Sequence, residues 1–165
     1  MIKVGMGQDS HRFLETSHKK CLLGGVVVES SMGFDADSDG DIIFHSICNA
    51  ITSITHIPIM GGLAIELCKK HNITDSAVYL NEALKTLSGY QILHVAITIE
   101  AGKPKLQHLV DKIRKNISDK LNVALEDVGI TVTSGNGLSR FSEGLGMHAN
   151  CLLTVEKSKF RSIDF

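Results

Sequence analysis

The chain opens on an alternating run, Ile2-Lys3-Val4-Gly5-Met6, whose period of two predicts a strand with one face toward a core. Residues 21–28 are apolar around the pair Gly24-Gly25, which predicts two short strands meeting at a tight bend. Residues 33–40 are rich in turn formers. The period then changes. Ile43, Ile47, Ala50, Ile51 and Ile54 recur at helical spacing, so a helix is expected from Ser38 or Asp39 to about Ser53. Ser38 is its expected cap, with Asp39 and Asp41 at the positive N-terminal end. The pattern breaks around Pro58, and Met60-Gly61-Gly62 reads as an exposed loop.

Asp75 or Ser76 opens a second long helix, to Leu87. Residues 93–100 are β-branched and read as a strand. Residues 105–121 read as a helix with Leu106, Leu109, Ile113 and Ile117 on one side, and residues 128–133 and 151–155 as two more strands. Strands alternating with long helices predict a single α/β (α+β) domain, a mixed sheet of about four strands with helices on one face. Its expected span is residues 1–156, followed by a C-terminal tail over 157–165.

Composition narrows the function classes. At 165 residues, 43% hydrophobic and 21% charged, the chain suits one compact soluble domain. A net charge of -1 argues against a nucleic-acid or membrane surface, although one local pocket can still be cationic. Cys21, Cys48, Cys68 and Cys151 form no C-x-x-C pair and read as small buried hydrophobes in a reducing compartment. No leader is expected before the first strand, and no apolar stretch approaches the roughly 18 residues of a membrane span. A cytoplasmic protein is expected.

Reactive side chains concentrate in three places. In Gly7-Gln8-Asp9-Ser10-His11, extended chain points Asp9 and His11 the same way. Asp37-Ser38-Asp39-Gly40-Asp41 leads into His45. On a helix Asp41, His45 and Asn49 line one polar ridge away from the isoleucine stripe. One carboxylate oxygen and two imidazole nitrogens make a common ligand set for catalytic zinc. Spacing alone leaves this open, because a D-x-H pair with a distant histidine also arises by chance among eight histidines. The third place, residues 131–137, is a strand running into Ser134-Gly135-Asn136-Gly137. It suits a phosphate cradle and suits an ordinary hairpin equally well.

In this order the pieces resemble the 2-C-methyl-D-erythritol 2,4-cyclodiphosphate synthases of non-mevalonate isoprenoid biosynthesis. The resemblance rests on Gly7/Asp9/His11, on Ser38-Asp39-Gly40-Asp41 with His45, on Ala101 with Pro104-Lys105, on Thr133-Ser134 and on Gly144/Gly146. It runs over residues 2 to about 156. It implies a homotrimer with active sites between adjacent subunits and zinc on Asp9, His11 and His45. It also implies a second divalent ion, Mg2+ or Mn2+. Ser38 and the loop Gly61-Gly62-Leu63-Ala64 would touch the sugar and diphosphate of a cytidine diphosphate-linked substrate. Ala101, Gly102, Lys103, Pro104, Lys105 and Leu106 would form the cytosine pocket. Thr133 and Ser134 would meet phosphate, with Asn136, Arg140 and Glu143 completing the substrate-binding set and Ser134 and Asp37 in catalytic positions. The implied reaction is that of a phosphorus-oxygen lyase, an intramolecular phosphoryl transfer that expels CMP.

Several positions depart from the family. Asp37 stands where the family has His, so it is expected to turn away, hold a proton or recruit a cation. Gly62 replaces an aspartate that holds sugar hydroxyls, and Asn49 replaces another aspartate. Asn136 replaces a glutamate that supports the second ion, and an amide is the weaker ligand for a hard cation. Glu143 replaces an arginine that lines the trimer axis, so axial binding of isoprenoid diphosphates is expected to be weak unless Arg140 substitutes. The alternative to an active synthase is a trimeric zinc-binding relative with lost or altered catalysis, acting as a nucleotide- or phosphate-binding protein.

Overall fold

The first strand, β1 (Ile2–Arg12), runs six residues past the predicted alternation and carries Asp9 and His11 on its far end. Gly5 and Gly7 are buried on one face, and Asp9 and His11 continue that face half-buried. The computed structural model describes residues 1–16 and 18–158. From residue 159 onward the expected tail lies outside the described residues.

β1 pairs antiparallel with β6 (Gly146–Lys157), with Gly7 opposite Cys151 and Asp9 opposite Ala149. β6 pairs antiparallel with β4 (Tyr90–Glu100), and β4 pairs parallel with β5 (Val128–Thr133). The order is β1-β6-β4-β5, the mixed four-stranded sheet expected. A separate hairpin joins β2 (Lys20–Leu23) to β3 (Val26–Met32). Its bend falls at Gly24 and Gly25, with φ of 57° and 75°, a region open to glycine at little cost.

Helix α1 (Ile42–Thr55) lies on β1 and β6, with α3 (Ser76–Thr86) against its other side. It is buried almost all round its first two turns, from Ile42 to Cys48. The ridge of Asp41 and His45 therefore faces protein rather than solvent. The cap also differs from the expected Ser38. Asp41 accepts the amides of Ile43 and Phe44, each at 3.1 Å, and Gly40, at φ 76°, keeps the helix from extending backward. The same carboxylate accepts the amides of Gly24 and Gly25 at 2.9 and 2.7 Å, tying the hairpin bend to the start of α1. Burial pushes the Asp41 carboxyl up, against the pull of these donors.

The loop expected at Met60-Gly61-Gly62 is instead a π-helical turn, Ile59–Leu63, running into α2 (Ala64–His71). Two adjacent glycines weaken a helix on propensity, but packing of Met60, Leu67 and Cys68 on the core outweighs that loss. The helix expected from residue 105 begins later. A cis Lys103-Pro104 peptide and a single 3-10 turn, Gln107–Leu109, precede α4 (Val110–Leu121). Ile113 and Ile117 are fully buried as predicted, and Leu106 is buried from outside the helix.

Cys21, Cys48 and Cys151 are buried thiols and Cys68 is half-buried, all unpaired. Alternate residues of the sheet, such as Val95, Ile97, Ile99, Met147, Ala149, Leu153 and Val155, join the helices in the core. The opposite face carries Ile2, Val4, Met6 and Leu152 at 48–62% exposure, with Met6, Leu152 and Ala96 in one row across three strands. No single helix among the described residues is long and apolar enough to cross a membrane.

Candidate metal centre and active site

The site starts from two missing side chains. A Cβ on Gly7 would lie 2.1 Å from the carbonyl oxygen of Ser46, and one on Gly5 would lie 2.2 Å from that of Ala50. Bare backbone at these two positions lets α1 lie directly on β1. Asn49 secures the contact by donating from Nδ2 to the Gln8 carbonyl at 2.9 Å. His45, one helical turn before Asn49, then meets the end of β1.

Three ligand-type atoms converge there. Asp9 Oδ2 lies 2.9 Å from His45 Nδ1 and 3.0 Å from His11 Nε2, and the two ring nitrogens are 3.5 Å apart. All lie within 4.8 Å of one another. A tetrahedral ion with arms of about 2.0–2.1 Å has ligands roughly 3.3 Å apart, so the three separations match one face of such a tetrahedron. The donor set fits zinc. Burial alone would raise the Asp9 carboxyl. Hydrogen bonds and charge from His11 and His45 outweigh it and hold the group at about 2. His45 is 3% exposed. The His11 ring leans on buried Phe34, which stacks on Phe13 at 5.4 Å.

A cleft of about 520 Å³ opens beside this triad. Among its lining are Ala36, Asp37, Ser38, Met60, Gly61, Ala64, Ile65, Cys68, Lys69 and Tyr79. Asp37 is exposed, and its carboxylate lies 3.8 Å from Lys69 Nζ. The pair is exposed and adds little stability, yet it sets a positive charge beside the Asp37 carboxylate. Ser38 is buried, with Oγ 3.4 Å from His45 Nε2.

The other expected residues form a second group at the same end of the sheet. Ala101 donates its amide to Thr133 O at 2.9 Å, and Gly102 donates to Phe141 O at 2.9 Å. Gly102 and Gly144 approach Ser142 and Lys103 closely, binding residues 101–105 to residues 133–146. Ser134 Oγ donates to Asn136 Oδ1 at 3.3 Å, and Thr133 Oγ1 accepts the Gly135 amide at 3.2 Å. Arg140 and Glu143 pair with each other at 3.3 Å. In the sheet, Asp9 on β1 and Thr133 on β5 are separated by β6 and β4, about 14 Å at ~4.8 Å per strand. Among the described residues, none of the second group lines the cleft beside the triad.

Two features had no signature in sequence. Lys19 Nζ donates to the carbonyls of Phe34 (2.9 Å), Ala36 (2.7 Å) and Ser38, shaping the loop that carries Asp37 and Ser38. Burial lowers the Lys19 pKa, opposed by Asp39, Asp35 and Asp37. Ser76, at the first turn of α3, is wholly buried with Oγ 2.7 Å from His45 Nε2, and it donates to Asp39.

The sequence profile of the YgbB family matches residues 2–156, nearly the whole chain. The chain belongs to the YgbB family. Among its YgbB relatives, the 2-C-methyl-D-erythritol 2,4-cyclodiphosphate synthase of Chlamydia caviae is 55% identical over 157 residues, covering 94% of this chain and 89% of that protein. The synthase of Chlamydia felis is 54% identical over the same coverage. The fold is similar to that of IspF from Plasmodium falciparum in complex with CDP. The TM-score there is 0.81 at 27% identity, over 95% of this chain and 97% of that one.

Proposed function

We propose that this YgbB chain converts 4-diphosphocytidyl-2-C-methyl-D-erythritol 2-phosphate to 2-C-methyl-D-erythritol 2,4-cyclodiphosphate with release of CMP. It thereby supplies isoprenoid precursors in the non-mevalonate pathway. The observation that carries this reading is the convergence of Asp9, His11 and His45 at the cleft, in a chain that shares more than half its residues with named synthases. Such identity does not favour the alternative of a non-catalytic zinc-binding relative.

In the reaction the 2-phosphate oxygen attacks the β-phosphorus, the bond from that phosphorus to the CMP oxygen breaks, and CMP leaves with the electron pair. No protein nucleophile is required, so the chain's task is to position two anionic phosphates and offset their repulsion. Asp9, His11 and His45 would hold zinc, which supplies Lewis-acid polarisation of a phosphoryl oxygen when bound. Lys69 beside Asp37 and the hydroxyl of Ser38 face the diphosphate side of the cleft. Ser134 and Thr133 offer hydroxyls to the phosphate that gains charge. Residues Ala101 to Leu106 would cradle cytosine through backbone groups. Gly62, Leu63 and Ala64 would border the sugar, and Asn136, Arg140 and Glu143 would border the substrate from the second group. A second ion, Mg2+ or Mn2+, would offset phosphate charge, with the Asn136 amide as the group available to hold it. In class this is a phosphorus-oxygen lyase.

The two groups of residues stand at opposite sheet edges, and the uncovered sheet face bears Ile2, Val4, Met6 and Leu152. A homotrimer packed through that face would bring the second group of one subunit to the metal centre of the next. The cytoplasm suits its four unpaired thiols.

The test is CMP release followed by chromatography with Mg2+ or Mn2+ present. CMP and cyclic diphosphate in equal amounts, both lost on chelation and restored by Zn2+, is the expected result. No CMP above a no-enzyme control from protein that holds its metal would refute the reading.

A further inference from the structure

His45 has two ring nitrogens and the structure gives each a different partner. Nδ1 faces Asp9 and His11. Nε2 faces the Ser76 hydroxyl at 2.7 Å, inside the core. Ser76 is 0% exposed, so neither group exchanges its partner with water at low cost. The serine hydroxyl in turn reaches Asp39 Oδ1. Asp39 is held by two backbone donors as well, the amide of Ser76 on Oδ2 at 2.9 Å and the amide of Asp41 on Oδ1 at 3.0 Å. Its own amide donates to Thr74 O at 2.8 Å. Asp39 is therefore the accepting end of a chain running through Ser76 to His45.

The direction of that chain follows from the donor inventory. A serine hydroxyl has one proton and a neutral imidazole has one N–H. The Ser76 proton goes to Asp39, which leaves the Ser76 oxygen as an acceptor, and among the described residues the group facing it is His45 Nε2, whose more distant neighbour at 3.4 Å is the Ser38 hydroxyl. The proton of the neutral ring is then fixed at Nε2, and the Nδ1 lone pair points at Asp9 Oδ2 and His11 Nε2. With that proton on Nε2, Nδ1 is the His45 atom that would serve as a metal ligand beside Asp9 Oδ2 and His11 Nε2.

We infer that Asp39 and Ser76 are positioning residues of the metal centre: a buried relay that fixes the His45 tautomer and ring orientation and so sets the affinity for the metal. Sequence spacing placed Asp39 at the helix start as an end charge. It instead ties the first turn of α3 to the loop before α1 and orders the ligand. Outer partners of this kind are worth about 10–100-fold in metal affinity. The inference rests on the reading that Asp9, His11 and His45 hold a metal.

The test measures Zn2+ affinity of the full chain by chelator competition, with Co2+ absorption as a readout of ligand geometry. Ser76→Ala should bind Zn2+ about 10–100-fold more weakly than wild type, with an altered Co2+ spectrum. Ser76→Thr, which keeps the hydroxyl, should recover most of the affinity, and Asp39→Asn should fall between. A long-range ¹H–¹⁵N spectrum of the metal-loaded wild type should show His45 protonated at Nε2 and ligated through Nδ1. That measurement decides the tautomer even if a variant fails to fold. Wild type that binds Zn2+ tightly while Ser76→Ala binds it equally well, or a His45 ring ligated through Nε2, would overturn the relay and leave the metal site standing. Wild type that binds no Zn2+ would overturn both.

Discussion

Replacing Gly7 by alanine tests whether bare backbone on β1 is what assembles the site. The added Cβ would lie 2.1 Å from Ser46 O and 2.3 Å from Ala50 N, both main-chain atoms of α1, where ordinary contact begins at 3.4 Å. The shortfall is 3.4 − 2.1 = 1.3 Å. No side chain can rotate away, so strand and helix must separate by about that distance. Overpacking of this kind costs about 1–3 kcal/mol or more, and at about 2–4 °C per kcal/mol for a chain of this size, ~3 kcal/mol lowers Tm by about 6–12 °C. The larger effect falls on the metal. His45 rides on α1 and Asp9 on β1, and ligand distances tolerate only about ±0.2 Å, so Zn2+ affinity should fall by far more than stability suggests. Thermal melts of the metal-free protein and chelator competition give the two readings. Gly61→Ala, where nothing lies within 4 Å, is the control and should stay within about 0.5 kcal/mol in stability. If Gly7→Ala melts and binds Zn2+ like wild type, close backbone approach does not build this centre.

His45→Ala should lose bound metal and CMP release together, and a variant with full activity would end the zinc reading. Gly62→Asp has room, its nearest neighbours being Pro58 carbons at 3.8 Å. Restoring the family's carboxylate there should lower KM about fivefold, one hydrogen bond's worth, without changing Tm; an unchanged or raised KM would refute a sugar contact at this position. Asp9 is held at about 2 against its ordinary 3.8, so its contribution in the metal-free protein, about 2 kcal/mol, is full above about pH 4 and disappears as pH falls toward about 2. The stability gap between wild type and Asp9→Asn, from urea unfolding, should shrink over that window, and a gap that widens on acidification would contradict the assignment. Burial pushes the thiols of Cys21 and Cys151 up to about 12, and that of Cys48 up as well. A thiol reagent should therefore label native protein at Cys68, which lines the cleft, and labelling should fall when substrate is present.

Much of this molecule is written in local pattern. Period two in β1 and period 3.6 in α1 each follow from side chains a few residues apart, because burying one face of an element needs only that element's own spacing. The bend at Gly24-Gly25 and the Asp75 cap of α3 were legible for the same reason. Asp9, His11 and His45 were visible as types at suggestive spacing, and a whole-chain resemblance made them a set. What sequence could not supply is which distant groups share a buried space. The glycine pair at 61–62 reads as a break, yet packing on the core holds it in a helical turn. Ser38 looks like the cap of α1, but Gly40 turns the chain with positive φ and hands that role to Asp41, which binds the β2–β3 bend as well. Ser76 reaches His45 and Asp39 across 31 and 37 residues of chain, and Lys19 reaches the Ser38 carbonyl across 19. Such contacts leave no period to read. They arise because a buried donor or acceptor must find a partner somewhere, and only the folded chain decides where.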